Sequence, residues 1–323
     1  MTVRVVQAMR FGGPEVLVAA EAPDLVPGPG QVLIDVAVAP VLFLDTQIRR
    51  GAAQDWFPAR PPYVPGAGVA GRVTSGGEGV DGRWVGRLVV ADAGGCYASQ
   101  AIVREEQLIE VPGGVDLPVA AALLHDGRTA LGLADAAALS PGAWVLVLSA
   151  AGGLGILLVQ LARAAGARVI GAARGKQKLD LATEMGAEVV VDYADPTWPE
   201  LVRTATGGAG PGVVFDGAGG KLGQAAFGVI APGGRLFAYG TPSGGFAEID
   251  PHEAERRAVT VRGIELVQFA PEEGRRLTER ALTEAAAGRI TPLVGQTFPL
   301  ERAADAHRAI EARDAVGKTL LLI

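Results

Sequence analysis

Residues 144–174 read WVLVLSAAGGLGILLVQLARAAGARVIGAAR. The stretch opens on a short apolar run, passes through a knot of glycines and continues into a long apolar-faced segment before a second apolar run, RVIGAA. That succession reads as strand, tight turn, helix, strand. The turn holds Ala150-x-Gly152-x-x-Gly155, a dinucleotide fingerprint whose first glycine is replaced by alanine. In such a unit the residue at Gly152 lets backbone approach a pyrophosphate, and the one at Gly155 lets helix pack close on strand. The start of the helix supplies unpaired N–H groups and a favourable dipole for phosphate. A glycine triplet alone is weak evidence in a chain with 46 glycines. Here the flanking strands and helix stand at the right spacing, so the expectation is a bound dinucleotide.

The second strand ends on Arg174 rather than on an acid. An acid there would bind the ribose hydroxyls of NAD and repel an added phosphate. The run GAARGKQK instead offers Arg174, Lys176 and Lys178, able to neutralise a 2′-phosphate, with arginine able to grip it in a bidentate way. Cations at a helix start also oppose the helix dipole, which favours a ligand over a merely solvated turn. The cofactor expected is NADPH.

Outward from this unit the text falls into two parts. Residues 1–120 carry short β runs such as QVLIDVAVA and GVAGRVTSG between Pro/Gly clusters, which predicts a compact β-barrel-like domain. From 121 to 270 strands alternate with helices, beginning with AALLHDGRTALGLADAAAL and ending with the strand-like VRGIELVQF. This alternation predicts an α/β fold, a doubly wound parallel sheet. Residues 271–323 end in the apolar KTLLLI, expected to return to the first domain and make it discontinuous.

Composition narrows the function. Hydrophobic residues make up 49% and charged residues 20% of the 323, an ordinary globular balance. A net charge of −6 argues against nucleic acid or an anionic membrane as main partner. No long apolar span and no signal-peptide pattern is apparent, and the single cysteine, Cys96, suits a reducing compartment, so a cytoplasmic location is expected. The histidines His125, His252 and His307 are scattered, without ligand spacing, and no metal is expected.

The order and spacing of GGPEVL, DTQIRRG, YVPGAGVAGRV, YASQAIV, SAAGGLGILLVQLARAAGARVIGAA, EMGAEVVVDY, FDGAGG, APGGRLFAYG and VGKTLLLI resemble a zinc-independent medium-chain dehydrogenase/reductase of the quinone oxidoreductase type. The resemblance covers nearly the full chain. It implies a GroES-like first domain, a Rossmann cofactor domain and commonly a homodimer, with VRGIELVQF holding the strand that pairs across it. It implies that Gly152, Gly153, Leu154 and Gly155 line the pyrophosphate turn and that Arg174, Lys178 and Tyr193 approach the 2′-phosphate. Thr129 would sit near the nicotinamide, with Ala218 and Gly240 flanking the cofactor. Zinc-dependent relatives carry Gly-His-Glu where this chain reads Gly66-Ala67-Gly68. Without a Lewis acid the chemistry shifts toward hydride transfer to conjugated acceptors, quinones or α,β-unsaturated carbonyls.

Members of this type often read NFIDTY where this chain reads LFLDTQ, so Leu42 and Gln47 replace a polar anchor and a tyrosine. Leu42, Phe43, Gln47 and the loop residue Trp56, beside Phe57, are the expected substrate-pocket residues. Asp45 is read either as orienting a substrate or as capping the following helix. Tyr63 and His125 are candidate proton donors, the latter with Asp126 or Arg128 nearby or else a polar link at a helix break. Cys96 reads as a small buried thiol and Lys318 as either functional or a surface lysine. Two other readings stay open: an enoyl-thioester reductase of a polyketide-like pathway, and a protein that binds NADPH without turnover.

Overall fold

A computed structural model describes residues 2–323, which form two compact units, residues 2–125 with 278–323, and residues 126–277. The sequence puts the divisions at 120 and 270, where the composition changes. In the structure each division falls inside a helix, Leu117–Ala137 and Pro271–Ala286. The first of these starts four residues before the expected AALLHDG because Asp116 accepts from Val119 N at 2.7 Å, an N-cap that the sequence reading passed over. It runs unbroken through His125–Arg128, so the expected helix break is absent. The polar His-Asp-Gly-Arg run contains no proline and leaves the backbone ladder intact.

In the second unit, six parallel strands lie in the order Val189–Asp192, Arg168–Ala173, Trp144–Leu148, Val213–Asp216, Arg235–Ala238, Thr260–Arg262. This is the doubly wound Rossmann order, with its switch point between Trp144–Leu148 and Val213–Asp216. Val145–Leu148 are wholly buried, as a strand covered by helices on both faces must be. Leu146, Leu148, Ile170, Val214 and Leu236 gather with Trp198, Val202 and Phe227 from the helices into one core.

The stretch VRGIELVQF is a strand only over its first residues. After Arg262, Gly263 N donates to Glu265 Oε1 at 2.9 Å and Ile264–Val267 turn into a 3-10 helix. A carboxylate two residues on outcompetes the ladder there, and the edge strand Thr260–Arg262 keeps all three residues exposed.

The first unit holds a seven-stranded sheet, in the order Val294–Pro299, Lys318–Leu322, Gln31–Val41, Gly68–Gly76, Leu88–Asp92, Ile109–Glu110, with Gln100–Arg104 also on Gln31–Val41. Lys318–Leu322 runs antiparallel to Gln31–Val41, Thr319 opposite Val41 and Leu322 opposite Val38. A hairpin of Val3–Ala8 and Leu17–Ala22 stands beside it, tied by Val6 N to Tyr97 O at 2.9 Å. Among the described residues no helix is long and apolar enough to cross a membrane.

The docking of helix Gly153–Ala164 on its strand depends on Gly155. A Cβ there would lie 2.2 Å from Ser149 O and 3.0 Å from Ala150 Cα. Gly155→Ala is therefore expected to lower stability by about 1–3 kcal/mol in urea unfolding. Gly228→Ala, where a Cβ meets nothing within 4 Å, serves as the control and is expected to leave stability unchanged or raise it by about 0.5–1 kcal/mol. Equal losses in both variants would reject the close-approach account.

Candidate functional site

In the second unit most of the expected cofactor residues follow the C-terminal ends of the strands, whereas Thr129 and Lys178 lie within helices. Ser149, at the end of Trp144–Leu148, takes a positive φ of 58°, and Gly152 N donates to Ser149 O at 2.9 Å to close the turn. Gly152 then stands at the N-cap of helix Gly153–Ala164 with no side chain capping it. The first helical bond is Ile156 N to Gly152 O at 2.9 Å, so the amides of Gly153, Leu154 and Gly155 lie ahead of the intrahelical ladder. Across the switch point, Ala218 N and Gly219 N donate to Asp216 Oδ1 at 3.0 and 2.8 Å. The Asp216 carboxyl is wholly buried at the end of its strand, and burial pushes its pKa up. Gly240 packs so tightly that a Cβ would lie 2.1 Å from Gly217 O. A rim of donors ahead of a helix, with room kept open by the absence of side chains, fits a dinucleotide pyrophosphate.

Arg174 is exposed at the end of strand Arg168–Ala173, and Lys178 is half-buried in helix Lys176–Glu184. Tyr193 is half-buried at the end of the neighbouring strand, its ring packed against the core. Lys176 pairs with Asp180 one turn on, at 2.7 Å, which answers for its place at the helix start by a local ion pair. Thr129 is half-buried on helix Leu117–Ala137, and Ala218 is buried.

In the first unit a cleft of about 460 Å³ is lined by Asp45, Ile48, Tyr63, Pro65, Ala67 and Asp92, among others. Of the expected pocket residues, Leu42, Phe43, Gln47 and Trp56 do not line it. Helix Phe43–Arg50 explains the difference, because positions 45 and 48 share one face while 43 and 47 share another. Trp56 and Phe57 are exposed on the loop that follows, Trp56 at 76%. Tyr63 is held in the cleft wall by two backbone bonds to Ala8, and its hydroxyl is buried without a hydrogen-bond partner. Burial, with Asp45 adding to it, pushes the Tyr63 pKa up to about 12.

His125 finds a different partner from the neighbours expected. Its Nε2 lies 2.9 Å from Asp92 Oδ1, at the end of strand Leu88–Asp92 and in the cleft wall. The imidazole occupies room that Gly68 leaves, where a Cβ would stand 2.8 Å from His125 Cε1. Nothing in the linear text links positions 68, 92 and 125, so Asp92 could not be singled out from sequence.

Asp45 does not precede a helix as a cap would; it is the third residue of helix Phe43–Arg50 and reaches back to accept from Leu42 N at 2.8 Å, and it also accepts from the Tyr97 hydroxyl at 3.2 Å. Tyr97 lies 2.9 Å from His307 Nε2, and all three side chains are buried. One proton arrangement satisfies the chain: His307 Nε2–H donates to the phenol oxygen, and the phenol donates to the carboxylate. Lys318 is buried too, at 5% exposure, which corrects its reading as a surface lysine. Burial pushes the Asp45 carboxyl up and the His307 imidazole down to about 3.

The donor set does not fit a zinc ion. Among the described residues no three His, Cys, Asp or Glu side chains converge where such an ion could be held. The Cys96 thiol is buried, donates to Ala93 O at 2.8 Å and is held far from its thiolate form by burial.

Comparison with known proteins places this architecture. Residues 28–122 match the alcohol dehydrogenase GroES-like domain and residues 153–283 the family described as zinc-binding dehydrogenase. Quinone oxidoreductase of Sus scrofa is 30% identical over 98% of this chain and 97% of its own. The chain belongs to the medium-chain dehydrogenase/reductases of the quinone oxidoreductase type. Within this family, 2-haloacrylate reductase of a Burkholderia species is 33% identical over 96% of each chain. The structure of Escherichia coli quinone oxidoreductase complexed with NADPH superposes with a TM-score of 0.91 at 27% identity, covering 99% of this chain and 100% of that one. A mycobacterial structure, also complexed with NADPH, gives 0.90 at 32% identity, with 99% and 100% covered.

His307 generates a pH prediction. Its ordinary value of 6.5 applies in the unfolded chain and about 3 in the fold, so the unfolded state takes the proton first. Stability is then full above pH 6.5 and falls as pH drops toward 3. Asp45 acts in the opposite sense, since its raised pKa favours the fold as pH falls through it toward 3.8. Melting temperature followed from pH 7 down to about pH 4 is expected to fall less steeply in His307→Gln than in the parent, even if the variant starts lower. Parallel curves would show that His307 does not carry the acid sensitivity.

Proposed function

We propose that this chain is an NADPH-dependent reductase that delivers hydride to a conjugated acceptor, a quinone or an α,β-unsaturated carbonyl, without zinc. The observation that carries the reading is Arg174 at the end of the second Rossmann strand, in the turn beside Lys178 and Tyr193, where an acid would select NAD. Bound NADPH supplies hydride from its nicotinamide C4.

The chain's part is to bind, orient and supply the proton. Gly152, Gly153, Leu154 and Gly155 hold the pyrophosphate through backbone amides, and Arg174, Lys178 and Tyr193 hold the 2′-phosphate. Thr129, Ala218 and Gly240 border the nicotinamide end. The acceptor is taken by the cleft of the first unit, whose walls are largely apolar, with Ile48, Val64, Pro65 and Ala67 facing a flat conjugated body. Two groups there can give a proton to the reduced acceptor. Tyr63 keeps its proton at neutral pH and has no acceptor of its own. His125 is oriented by Asp92.

The names of the relatives support a conjugated acceptor, since quinones and 2-haloacrylate both hold a carbon–carbon double bond conjugated to a carbonyl or carboxyl group. We also assign the chain to the cytoplasm as a homodimer. The exposed edge strand Thr260–Arg262, paired on one side with Arg235–Ala238, supports the dimer.

Stopped-flow oxidation of NADPH and NADH, against quinones, enones and one enoyl thioester, tests the reading. NADPH is expected to be consumed rapidly by quinones or enones. In Arg174→Asp the preference for NADPH is expected to fall about 10- to 100-fold, the worth of one charge-assisted contact. Turnover confined to the enoyl thioester would move the chain to the thioester reductases. Tight NADPH binding with no turnover of any acceptor would end the reductase reading.

A further inference from the structure

The turn that carries Arg174 is held by a residue of the next strand. Asp192 closes strand Val189–Asp192 and stands opposite Ala173 in the parallel ladder. Its Oδ2 accepts from Gly175 N at 3.0 Å, and its Oδ1 accepts from Ala194 N at 2.9 Å. Between these two bonds, Tyr193 N donates to Ala173 O at 3.1 Å. The residue before Arg174 is thus tied to Tyr193, and the residue after it is tied to Asp192. The residue after Tyr193 is tied to the same carboxylate.

Gly175 needs such a tie. It takes φ 83° and ψ 154°, caps helix Lys176–Glu184 without a side-chain bond, and is not fixed by the ladder itself. A charged acceptor on an N–H makes a bond roughly twice as strong as a neutral one. The carboxylate therefore sets the orientation of the Arg174–Gly175 peptide and, through Ala194, the exit of the chain after Tyr193.

We infer that Asp192 is a positioning residue for 2′-phosphate recognition, fixing the backbone on which Arg174 and Tyr193 are presented together; this rests on the NADPH reading above. The acid that NAD-binding chains set on the ribose has here a counterpart one strand away. Both its oxygens accept from backbone amides, so it shapes the phosphate site without touching the nucleotide. The preference for the phosphorylated cofactor then depends on Asp192 as well as on the cations.

The test uses the full chain and calorimetric titration with adenosine 2′,5′-bisphosphate and with adenosine 5′-monophosphate, which lacks the 2′-phosphate. Asp192→Ala is expected to weaken the bisphosphate about tenfold while the monophosphate changes by less than about twofold. Asp192→Asn, which keeps one carbonyl acceptor, is expected to fall between Asp192→Ala and the parent, and it serves in place of Asp192→Ala should that variant fail to fold. Arg174→Ala is run beside them. Equal weakening of both nucleotides would reduce Asp192 to a structural residue and overturn the inference. So would unchanged bisphosphate binding in the Asp192 variants while Arg174→Ala weakens it, an outcome that leaves the NADPH reading standing. A parent that binds the two nucleotides alike would remove the 2′-phosphate reading and this inference together.

Discussion

The contact between Gly155 and the end of its strand sets the geometry on which the second unit depends. Helix Gly153–Ala164 can approach Ser149 O only because no side chain stands between them. That approach brings the first helical amides to the rim of the sheet, beside the turn after Asp216 and the close packing of Gly240 on Gly217. The rim lies at the switch point of the strand order, where the chain leaves the sheet in opposite directions and a crevice follows from topology. The rim of free amides on which the proposed pyrophosphate site rests thus follows from one packing distance and one strand order.

The first unit is built on a different principle. Its cleft is small and apolar-walled, and Asp45 in its lining joins Tyr97 and His307 in a chain of buried polar groups linked by hydrogen bonds, with His307 Nδ1 the one buried polar side-chain atom of the three left without a partner. Such a network is costly unless nearly every member is paired, and in return it specifies one arrangement of the elements that carry it. Helix Phe43–Arg50, the segment around Tyr97 and helix Ala303–Glu311 meet through those side chains. Asp45 has two tasks, since it ties down the start of its own helix and anchors the network. The Asp45 side chain is therefore fixed from two directions.

Much of this was legible in the sequence, and the legible part was local. The glycine turn, the buried strands and the cationic end of the second strand are read from neighbours within a few residues. What stayed hidden depends on residues far apart in the chain. His125 meets Asp92, Tyr97 meets His307 and Gly68 makes way for an imidazole, and no periodicity announces such encounters. The expected pocket residues show the same limit, since motif position points to Leu42 and Gln47, whereas the face of helix Phe43–Arg50 that reaches the cleft of the first unit carries Asp45 and Ile48. The strand after Thr260 was overextended because its apolar run concealed a local competitor, the Glu265 carboxylate.

The pairing of Lys318–Leu322 with Val38–Val41 has a consequence for how the protein is made. Two segments nearly three hundred residues apart are neighbours in one sheet, with Val294–Pro299 added beyond them. During synthesis the sheet lacks the two strands at one end of its order until both have left the ribosome, and loop closure over that span is slow. Residues 126–277 are contiguous and compact, so they are free to fold while the first unit still waits for its closing strand. Until then the segment Val38–Val41 lacks the strand that pairs with it, while Gln31–Asp35 can already pair with Gln100–Arg104, and such an edge is a template for association with other chains.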